Sequence, residues 1–277
     1  MRLFADEQRL ARGEPGLAID DRRGRGRGVD GCHVAILSIV RACLTIARRE
    51  GSEAFVPTKR TFRDLGDACR AANALDLVGD RWTLIVVREV ILGPKRFVDL
   101  QESVRGITPA VLTDRLRSLQ ETGIVEQVVL PDLARTRAYA ATDWGRKLES
   151  VLESLGRWYS AGPDPSTDGG MTPDGTVLAM RTMAPEAPGE VPVLALRLYD
   201  GRRSDPPTRD YRVAAINGRL DVRAVVATEP AATVTAESTV WSRLLFDDLP
   251  LARAERDGTV RVEGDREAVL RILRLYT

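Results

Sequence analysis

The sequence has little of the chemistry that enzymes use. A single histidine, His33, and three cysteines, Cys32, Cys43 and Cys69, occur in 277 residues, and no two cysteines have a CxxC spacing. A metal site built on several histidines and a Ser/His/Asp triad within one chain are therefore excluded. We accordingly expect no enzyme activity, no catalytic residue, no metal and no cofactor. The low, odd cysteine count is typical of a reducing compartment, so we expect a cytoplasmic protein.

The sequence also has no hydrophobic run long enough to cross a bilayer. The apolar stretch Val34–Ala47 is interrupted by Arg41 and is too short for a membrane span, so we expect no membrane contact. The run Arg22–Gly28 before it has two interpretations, a disordered basic tail or a segment that touches nucleic acid, and the first is commoner for this composition. We predict that residues 1–60 are a disordered extension, or that translation really begins near Val56.

An excess of charge of one sign is absent as well. The net charge is +1, and residues 62–160 carry 14 basic and 14 acidic side chains. Bulk charge therefore gives no support for a nucleic-acid partner. A DNA surface would require the fold to gather basic side chains on one side while acidic ones face elsewhere. The candidates for that surface are Lys95, Arg96, Arg117, Arg135 and Arg137.

What the sequence does contain is a helix with both of its boundaries marked. Thr108 can cap the first free backbone N–H groups, Pro109 suits the first helical position, and Gly123 ends the helix. Helical spacing places three leucines on one stripe and short polar residues on the opposite face. The stripe is Leu112, Leu116 and Leu119, and the opposite face has Ala110, Thr113, Asp114 and Arg117. Alone, this pattern is also typical of an ordinary amphipathic surface helix.

The segments around this helix favour DNA reading. A short helix, Pro94–Ser103, precedes it across the glycine-containing turn Arg105–Ile107, and two helices joined in this way form a helix-turn-helix. After it, Ile124–Leu130 and Arg137–Ala141 are predicted strands separated by Pro131–Thr136. Such a hairpin can reach the DNA backbone as a wing while the helix enters the major groove. The pattern therefore predicts a winged helix.

Several separated motifs resemble, in order, those of the HxlR-type transcriptional regulators, a winged-helix family related to the MarR group. These motifs are Leu75–Glu89, Gly93–Phe97, Ile107–Pro109, Leu116–Leu119, Gly123–Val125 and Thr142–Leu148, within about residues 69–159. The resemblance implies a DNA-binding transcriptional regulator that forms a homodimer through its terminal helices. Two-fold symmetry would place two reading helices about 34 Å apart on a palindromic operator in double-stranded DNA.

The winged-helix pattern assigns roles to individual side chains. Thr108, Ala110, Thr113, Asp114 and Arg117 are expected to face the major groove, while Lys95, Arg96, Arg135 and Arg137 are expected to hold phosphates. The resemblance adds Cys69, which matches a position where a cysteine before the first helix senses oxidants or electrophiles. A helix N-terminus beside Arg70 favours a thiolate, although free cysteine is also commonly a small buried residue.

Beyond residue 160 the composition changes. Residues 161–171 are predicted to be a linker between a winged-helix domain at 61–160 and an α+β domain at 172–277, so the overall fold class is α+β. Predicted strands are Val177–Met183, Pro192–Tyr199, Arg209–Ile216, Leu220–Val226, Ala231–Thr235 and 258–264. Predicted helices are Ser238–Phe246 and Asp265–Tyr276, and Asn217-Gly218 is a predicted hairpin turn.

The end of the chain, from Asp257 to an apolar closing helix, resembles the sterol-carrier-protein-like domain that some HxlR-type regulators carry. This resemblance implies a pocket for a small hydrophobic ligand, and filling of the interior by the domain's own side chains is the alternative. Two functions stay open. One is a transcriptional regulator modulated by a hydrophobic ligand or a thiol-reactive signal. The other is a hydrophobic-ligand carrier whose winged helix serves mainly for dimerisation.

Overall fold

The computed structural model describes residues 61–163, 169–184 and 191–276. The extension predicted for residues 1–60 lies outside these ranges, as do residues 164–168 of the predicted linker. In the part of the chain that is described, no helix has both the length and the apolar character needed to cross a bilayer.

The N-terminal part, residues 61–163, folds as a winged helix. Its elements are α1 (Arg70–Val78), α2 (Thr83–Ile91), α3 (Phe97–Ser103), α4 (Pro109–Glu121), β1 (Val125–Val129), β2 (Arg137–Ala141), α5 (Asp143–Arg146) and α6 (Glu149–Ser160). Strands β1 and β2 pair antiparallel, with Val125 opposite Ala141 and Val129 opposite Arg137. The winged helix-turn-helix expected from the sequence is therefore confirmed, with α3 and α4 as its two helices and the hairpin as its wing.

Helix α4 has the boundaries that its sequence predicts. The Thr108 hydroxyl accepts a hydrogen bond from the N–H of Val111 at 3.4 Å, Pro109 occupies the first turn, and Gly123 follows the helix with a φ of 71°. The buried stripe consists of Leu112, Leu116 and Leu119, which belong to one cluster with Val86, Val87 and Val90 of α2. Burying a leucine contributes about 1.5–3 kcal/mol, so the stripe determines which face of α4 points outward.

The C-terminal part, residues 169–276, is built on one mixed sheet. Its elements are α7 (Pro173–Thr182), β3 (Leu194–Tyr199), β4 (Arg209–Ile216), β5 (Arg219–Arg223), β6 (Ala232–Glu237), α8 (Ser238–Phe246), α9 (Leu251–Arg256), β7 (Val260–Gly264) and α10 (Arg266–Leu273). The strand order is β5-β4-β3-β6-β7, in which β3 and β6 are parallel and the other neighbours are antiparallel. Asn217 and Gly218 turn β4 into β5 with φ of 53° and 73°, as hairpins prefer.

One predicted strand is wrong, because Val177–Met183 lies almost entirely in helix α7. Thr172 caps this helix by accepting a hydrogen bond from the N–H of Gly175 at 3.0 Å, and Pro173 occupies its first turn. A short apolar run does not by itself distinguish a strand from a buried helix, and the cap decides the outcome. Helix α7 contributes buried side chains to the cores of both parts.

The other predicted C-terminal elements are present, with shifted ends and one addition. Strand β5 ends at Arg223 rather than at Val226, and α10 ends at Leu273. Helix α9 was not predicted, because its six residues are too few for a clear helical period. Its buried residues, Leu251 and Ala254, lie three positions apart, which is the only amphipathic signal that so short a helix provides.

Helix α7 is tied to the N-terminal part by a buried group of charged side chains. The carboxylates of Glu89 in α2 and Asp174 in α7 are fully buried, and Lys95 lies between them. Its Nζ is 2.5 Å from Glu89 Oε2 and 2.9 Å from Asp174 Oδ2. The Thr172 hydroxyl donates a hydrogen bond to Glu89 Oε1 at 2.8 Å. Each part of the chain therefore supplies one of the two buried carboxylates.

Three more side chains complete the pairing of these carboxylates. Arg88 Nη2 lies 2.8 Å from Glu89 Oε1, and Arg209 Nε lies 2.9 Å from Asp174 Oδ1. The Tyr211 hydroxyl donates to Asp174 Oδ1 at 2.7 Å, and burial, together with the Asp174 charge, raises the pKa of Tyr211. Burial alone would raise the pKa of Glu89, but the two cations beside it outweigh burial and hold that pKa at about 2. Glu89 is therefore ionised at neutral pH.

We expect the Lys95→Met variant to lose about 3–5 kcal/mol of unfolding free energy, because removing the ammonium leaves two buried carboxylates short of a counter-charge. Urea unfolding at neutral pH, followed by circular dichroism, measures the change. The matched control is Lys147→Met, which removes the same charge from an exposed site. That change should alter the unfolding free energy by no more than about 0.5 kcal/mol.

The pH dependence of the difference in unfolding free energy between wild type and Lys95→Met tests whether its cause is electrostatic. Glu89 has a folded-state pKa of about 2 against an ordinary value of 4.5, so it stabilises the fold above pH 4.5 and loses that contribution as the pH falls towards 2. The stability difference between wild type and Lys95→Met should therefore narrow in acid. A difference that stayed constant across the acid range would contradict an electrostatic origin and indicate lost packing instead.

Candidate nucleic-acid interface

The outward face of α4 is polar and exposed. It consists of Thr108, Ala110, Thr113, Asp114 and Arg117. The Thr113 hydroxyl donates a hydrogen bond to the carbonyl oxygen of Pro109 at 2.8 Å. Arg117 Nη1 lies 3.5 Å from Asp114 Oδ1, and the two side chains are 65% and 61% exposed. An ion pair this exposed contributes little stability, so the Arg117 guanidinium can leave it for another partner.

The loop of the wing is shaped by Asp132. Its carboxylate accepts a hydrogen bond from the N–H of Thr136 at 2.8 Å, and its carbonyl oxygen accepts one from the N–H of Arg135 at 3.1 Å. Hydrogen bonds from Thr136 also lower the pKa of Asp132. Arg135, with a φ of 48°, and Arg137 are both exposed, and neither has an ion pair within the described ranges. The wing therefore presents two guanidinium groups without an acidic partner there.

Arg96 lies beside the wing at the start of α3. Its guanidinium donates two hydrogen bonds to Asp99, from Nε at 2.8 Å and from Nη2 at 3.0 Å, and its side chain is 55% exposed. The charge of Asp132 in the wing loop also acts on Arg96. Arg96 is therefore accessible, but a phosphate at this position would compete with Asp99 for it.

Lys95 does not lie on this surface, contrary to the expectation that it holds a phosphate. Its side chain is 9% exposed, and its ammonium pairs with Glu89 and Asp174. Its backbone pairs with Tyr139 of β2, because each N–H donates to the other residue's carbonyl oxygen, at 2.9 and 2.8 Å. The sequence signal that could have located Lys95 is Glu89, since an acid in a helix that is apolar on nearly all sides needs a buried partner.

Cys69 is exposed at the N-terminal end of α1. The backbone N–H groups of Ala72 and Ala71, in the first turn of α1, lower the pKa of its thiol. Arg70, the next residue, is exposed as well. The alternative interpretation of Cys69 as a small buried residue is therefore wrong.

Helices α1 and α6 expose apolar side chains. These are Leu75 and Leu77 on α1 and Val151, Leu155 and Trp158 on α6, with exposed fractions from 38% to 75%. Leu75 and Leu155 both line an open cleft of about 920 Å³ between α1, α2, α6 and α7, so the two apolar faces adjoin. Adjoining apolar exposure on two helices is typical of an interaction surface.

The interior of the C-terminal part is filled by its own side chains. Met180, Tyr211 and Trp241 are completely buried in one cluster, and Trp241 Nε1 donates a hydrogen bond to Met180 Sδ at 3.4 Å. Among the residues that the structure describes, no group of three or more His, Cys, Asp or Glu side chains could hold a metal ion. The interior of the C-terminal part is therefore a packed hydrophobic core.

Comparisons with known proteins concern the winged helix. The profile of the HxlR-like helix-turn-helix family matches residues 77–166. The HTH-type transcriptional regulator YodB of Bacillus subtilis is 33% identical over 86 residues, which are 31% of this chain and 77% of that protein. The uncharacterized HTH-type transcriptional regulator YvaP of the same organism is 29% identical over 97 residues, which are 35% of this chain and 90% of that protein.

A solved structure of the reduced form of YodB from B. subtilis is 30% identical and covers 36% of this chain and 99% of that one, with a TM-score of 0.33. The family profile ends at residue 166, so the likeness of residues 172–277 to a sterol-carrier-like domain stays a prediction. The matched residues do include α3, α4, the wing and α6. By this profile match and the similarity to YodB, the chain belongs to the HxlR-like helix-turn-helix family.

Proposed function

We propose that this protein is a transcriptional regulator that binds a palindromic operator in double-stranded DNA as a homodimer. The observation that carries the proposal is the exposed polar face of α4 beside a wing whose Arg135 and Arg137 have no acidic partner within the described ranges. Helix-turn-helix proteins place such a helix in the major groove. The relatives are themselves named HTH-type transcriptional regulators, which supports the same function.

Contacts to bases and contacts to phosphates are made by different residues. The face of α4 reads base edges through Thr108, Ala110, Thr113, Asp114 and Arg117, and the phosphates are held by Arg96, Arg135 and Arg137. A guanidinium pairs well with the two acceptors of a guanine edge, and Asp114 can either orient Arg117 or accept a hydrogen bond from cytosine. The local surface supplies the positive charge that the neutral overall composition does not.

Arg117→Ala and Arg135→Ala should weaken operator binding in different ways. Loss of the Arg117 contact should cost about 1–3 kcal/mol of binding free energy and relax specificity at one base pair. Loss of Arg135 should instead weaken binding to all DNA sequences alike and reduce the salt dependence of the affinity. Fluorescence anisotropy with the DNA upstream of the gene and with a mixed-sequence duplex measures both effects. Operator affinity that is the same in both variants as in wild type would remove these roles.

A homodimer is supported by the adjoining apolar faces of α1 and α6. Burial of apolar area is the main favourable contribution to the association of subunits, and Trp158, at 75% exposed, offers a large side chain for it. Closed two-fold symmetry is the commonest arrangement of such subunits, and it matches the two-fold symmetry of a palindromic operator.

Trp158→Glu should shift the protein from dimer to monomer, because it places a charge within the proposed apolar interface. Sedimentation velocity over a range of protein concentrations measures the change. The control is Val226→Glu, which introduces the same charge at an exposed apolar residue, 71% accessible, beyond β5 in the C-terminal part. Equal dimerisation of Trp158→Glu, Val226→Glu and wild type would count against this face as the interface.

We also propose that Cys69 responds to oxidants or electrophiles. Its exposure makes the thiol accessible, and the backbone N–H groups that lower its pKa increase the fraction of reactive thiolate. Its helix, α1, carries part of the apolar face proposed for dimerisation. A modification at the start of α1 can therefore alter the spacing of two reading helices without touching DNA.

Cys69→Ser should bind operator DNA as wild type does before treatment and should no longer respond to peroxide or to a quinone. The expected wild-type response is a change in operator affinity after treatment, which a reductant reverses in the case of peroxide. Mobility-shift titrations of both proteins, with and without each reagent, measure it. A Cys69→Ser protein that still responds like wild type would eliminate the sensor role while leaving DNA binding intact.

The alternative function, a hydrophobic-ligand carrier, has less support. A small-molecule site needs a cavity of about 300–1,000 Å³, yet side chains such as Met180, Tyr211 and Trp241 fill the interior of the C-terminal part. The apolar cleft beside α7 is open and adjoins the faces proposed for dimerisation. A hydrophobic ligand that modulates DNA binding would therefore lie in an open cleft such as this one rather than within the sheet-and-helix core.

A further inference from the structure

A polar groove runs along the outer side of α3, between this helix and residues 200–209 of the C-terminal part. Two cavities, of about 540 and 260 Å³, lie along it, and Arg203 lines both. Arg96 lines one of these cavities, and Arg105 lines the other. The groove therefore follows α3 from its start to the turn that leads into α4.

The wall that the C-terminal part contributes is held in place by its own contacts. Arg202 donates two hydrogen bonds to the Asp200 carboxylate, each at 2.7 Å, and a third to the carbonyl oxygen of Gly170 at 2.6 Å. Arg203, in contrast, forms an ion pair with Glu102 of α3. Arg202 is thus occupied by internal partners, whereas Arg203 reaches the helix-turn-helix and is positioned there in the absence of DNA.

Charges of the wing and of α3 act on residues that line this groove. The charges of Asp132 in the wing loop and Glu102 in α3 both act on Arg96, and the charge of Arg203 acts on Asp99. The wing loop, α3 and residues 200–209 therefore form one charged surface. Its basic members lie next to the elements that are proposed to hold DNA.

We propose that Arg203, assisted by Arg105, binds a phosphate of the DNA backbone, so that the C-terminal part takes a direct part in DNA binding. The inference rests on the proposed DNA-binding function. When α4 occupies the major groove, the preceding helix of a helix-turn-helix crosses the backbone, and here that helix is α3. A guanidinium binds the oxygens of a phosphate through two parallel hydrogen bonds, which is the group that Arg203 provides beside α3.

Glu102 is the group that a phosphate would displace from Arg203. The side chains of Arg203 and Glu102 are 22% and 43% exposed, so the pair is open to solvent on the Glu102 side, where a phosphate can compete with this carboxylate for the guanidinium. Once a phosphate occupies the groove, the charge of Glu102 opposes it. Neutralising Glu102 and removing Arg203 should therefore have opposite effects on DNA affinity. An ion pair that served only to hold the two parts together would make both changes act in the same direction.

The test measures the affinity of the full chain for two duplexes of equal length, one from the DNA upstream of its gene and one of mixed sequence, over a range of salt concentrations. Arg203→Ala should weaken binding to both duplexes about three- to tenfold, and the slope of log K against log salt should fall by about 0.9 in magnitude, because one phosphate contact is lost. Glu102→Gln should strengthen binding to both duplexes.

Arg219→Ala is the matched control. Arg219 is an exposed arginine at the start of β5, opposite Ile216, the last residue of β4, whereas the proposed groove lies at the other end of that strand, near Arg209. Its removal changes the net charge by the same amount and should leave affinity and slope unchanged. Thermal unfolding of all three variants shows whether each is folded at the temperature of the binding experiment.

The outcomes distinguish this inference from the function on which it rests. Wild-type protein that binds neither duplex would refute the proposed function itself. Wild-type binding, with affinity and slope unchanged in Arg203→Ala, would overturn the phosphate contact alone. Equal weakening by Arg203→Ala and Glu102→Gln would also overturn it, because that result identifies a structural tie between α3 and residues 200–209.

Discussion

The buried carboxylates of Glu89 and Asp174 are the constraint on which the contact between the two parts depends. A buried ion without a partner is strongly unfavourable, and these two share the Lys95 ammonium. The remaining cations come from both sides, Arg88 from α2 and Arg209 from β4. Lys95 thus pairs with one buried acid of each part, so charge pairing and apolar packing together specify the position of α7 against the winged helix.

The surface that we propose to face DNA depends on the same organisation in a less direct way. Helix α4 is oriented by its buried leucines, and the wing is anchored at the backbone of Lys95 through Tyr139. Acidic residues such as Asp99, Glu102 and Asp114 pair with the arginines around this surface, which explains how a region of neutral composition can present guanidinium groups locally. A pair that is exposed on both sides, such as Arg117 with Asp114, is easily exchanged, so its guanidinium can meet DNA without a large net charge.

The winged helix could be predicted from the sequence because its signals are local. Thr108, Pro109 and Gly123 mark the ends of α4, and the leucine period identifies its buried face. The role of Lys95 could not be predicted in this way, because its partner Asp174 is 79 residues further along the chain and only tertiary structure brings them together.

Helix α7 was predicted as a strand because its sequence does not distinguish the two structures. Its second half is a short apolar run that suits a strand equally well, and its cap, Thr172, directly follows the segment that composition indicates to be a linker. The exposure of Cys69 was likewise undetermined, since free cysteine is commonly buried but also occurs at exposed, reactive sites. The choice at both positions depends on what packs nearby, which a single sequence does not state.

The connection from α2 to α3 has a fixed number of residues. The main chain of Lys95 forms a single β-bridge with Tyr139 on the edge of β2 away from β1, and its side chain neutralises two acids, one of which lies only six residues earlier. Gly93 between them has a φ of 144°, and a Cβ there would lie 3.1 Å from Arg209 Nη2. The connection therefore acts as a spacer of fixed size. An insertion or deletion of one residue would shift Lys95 by one position, so that its neighbour would enter the strand pairing and the ammonium would point to the opposite face.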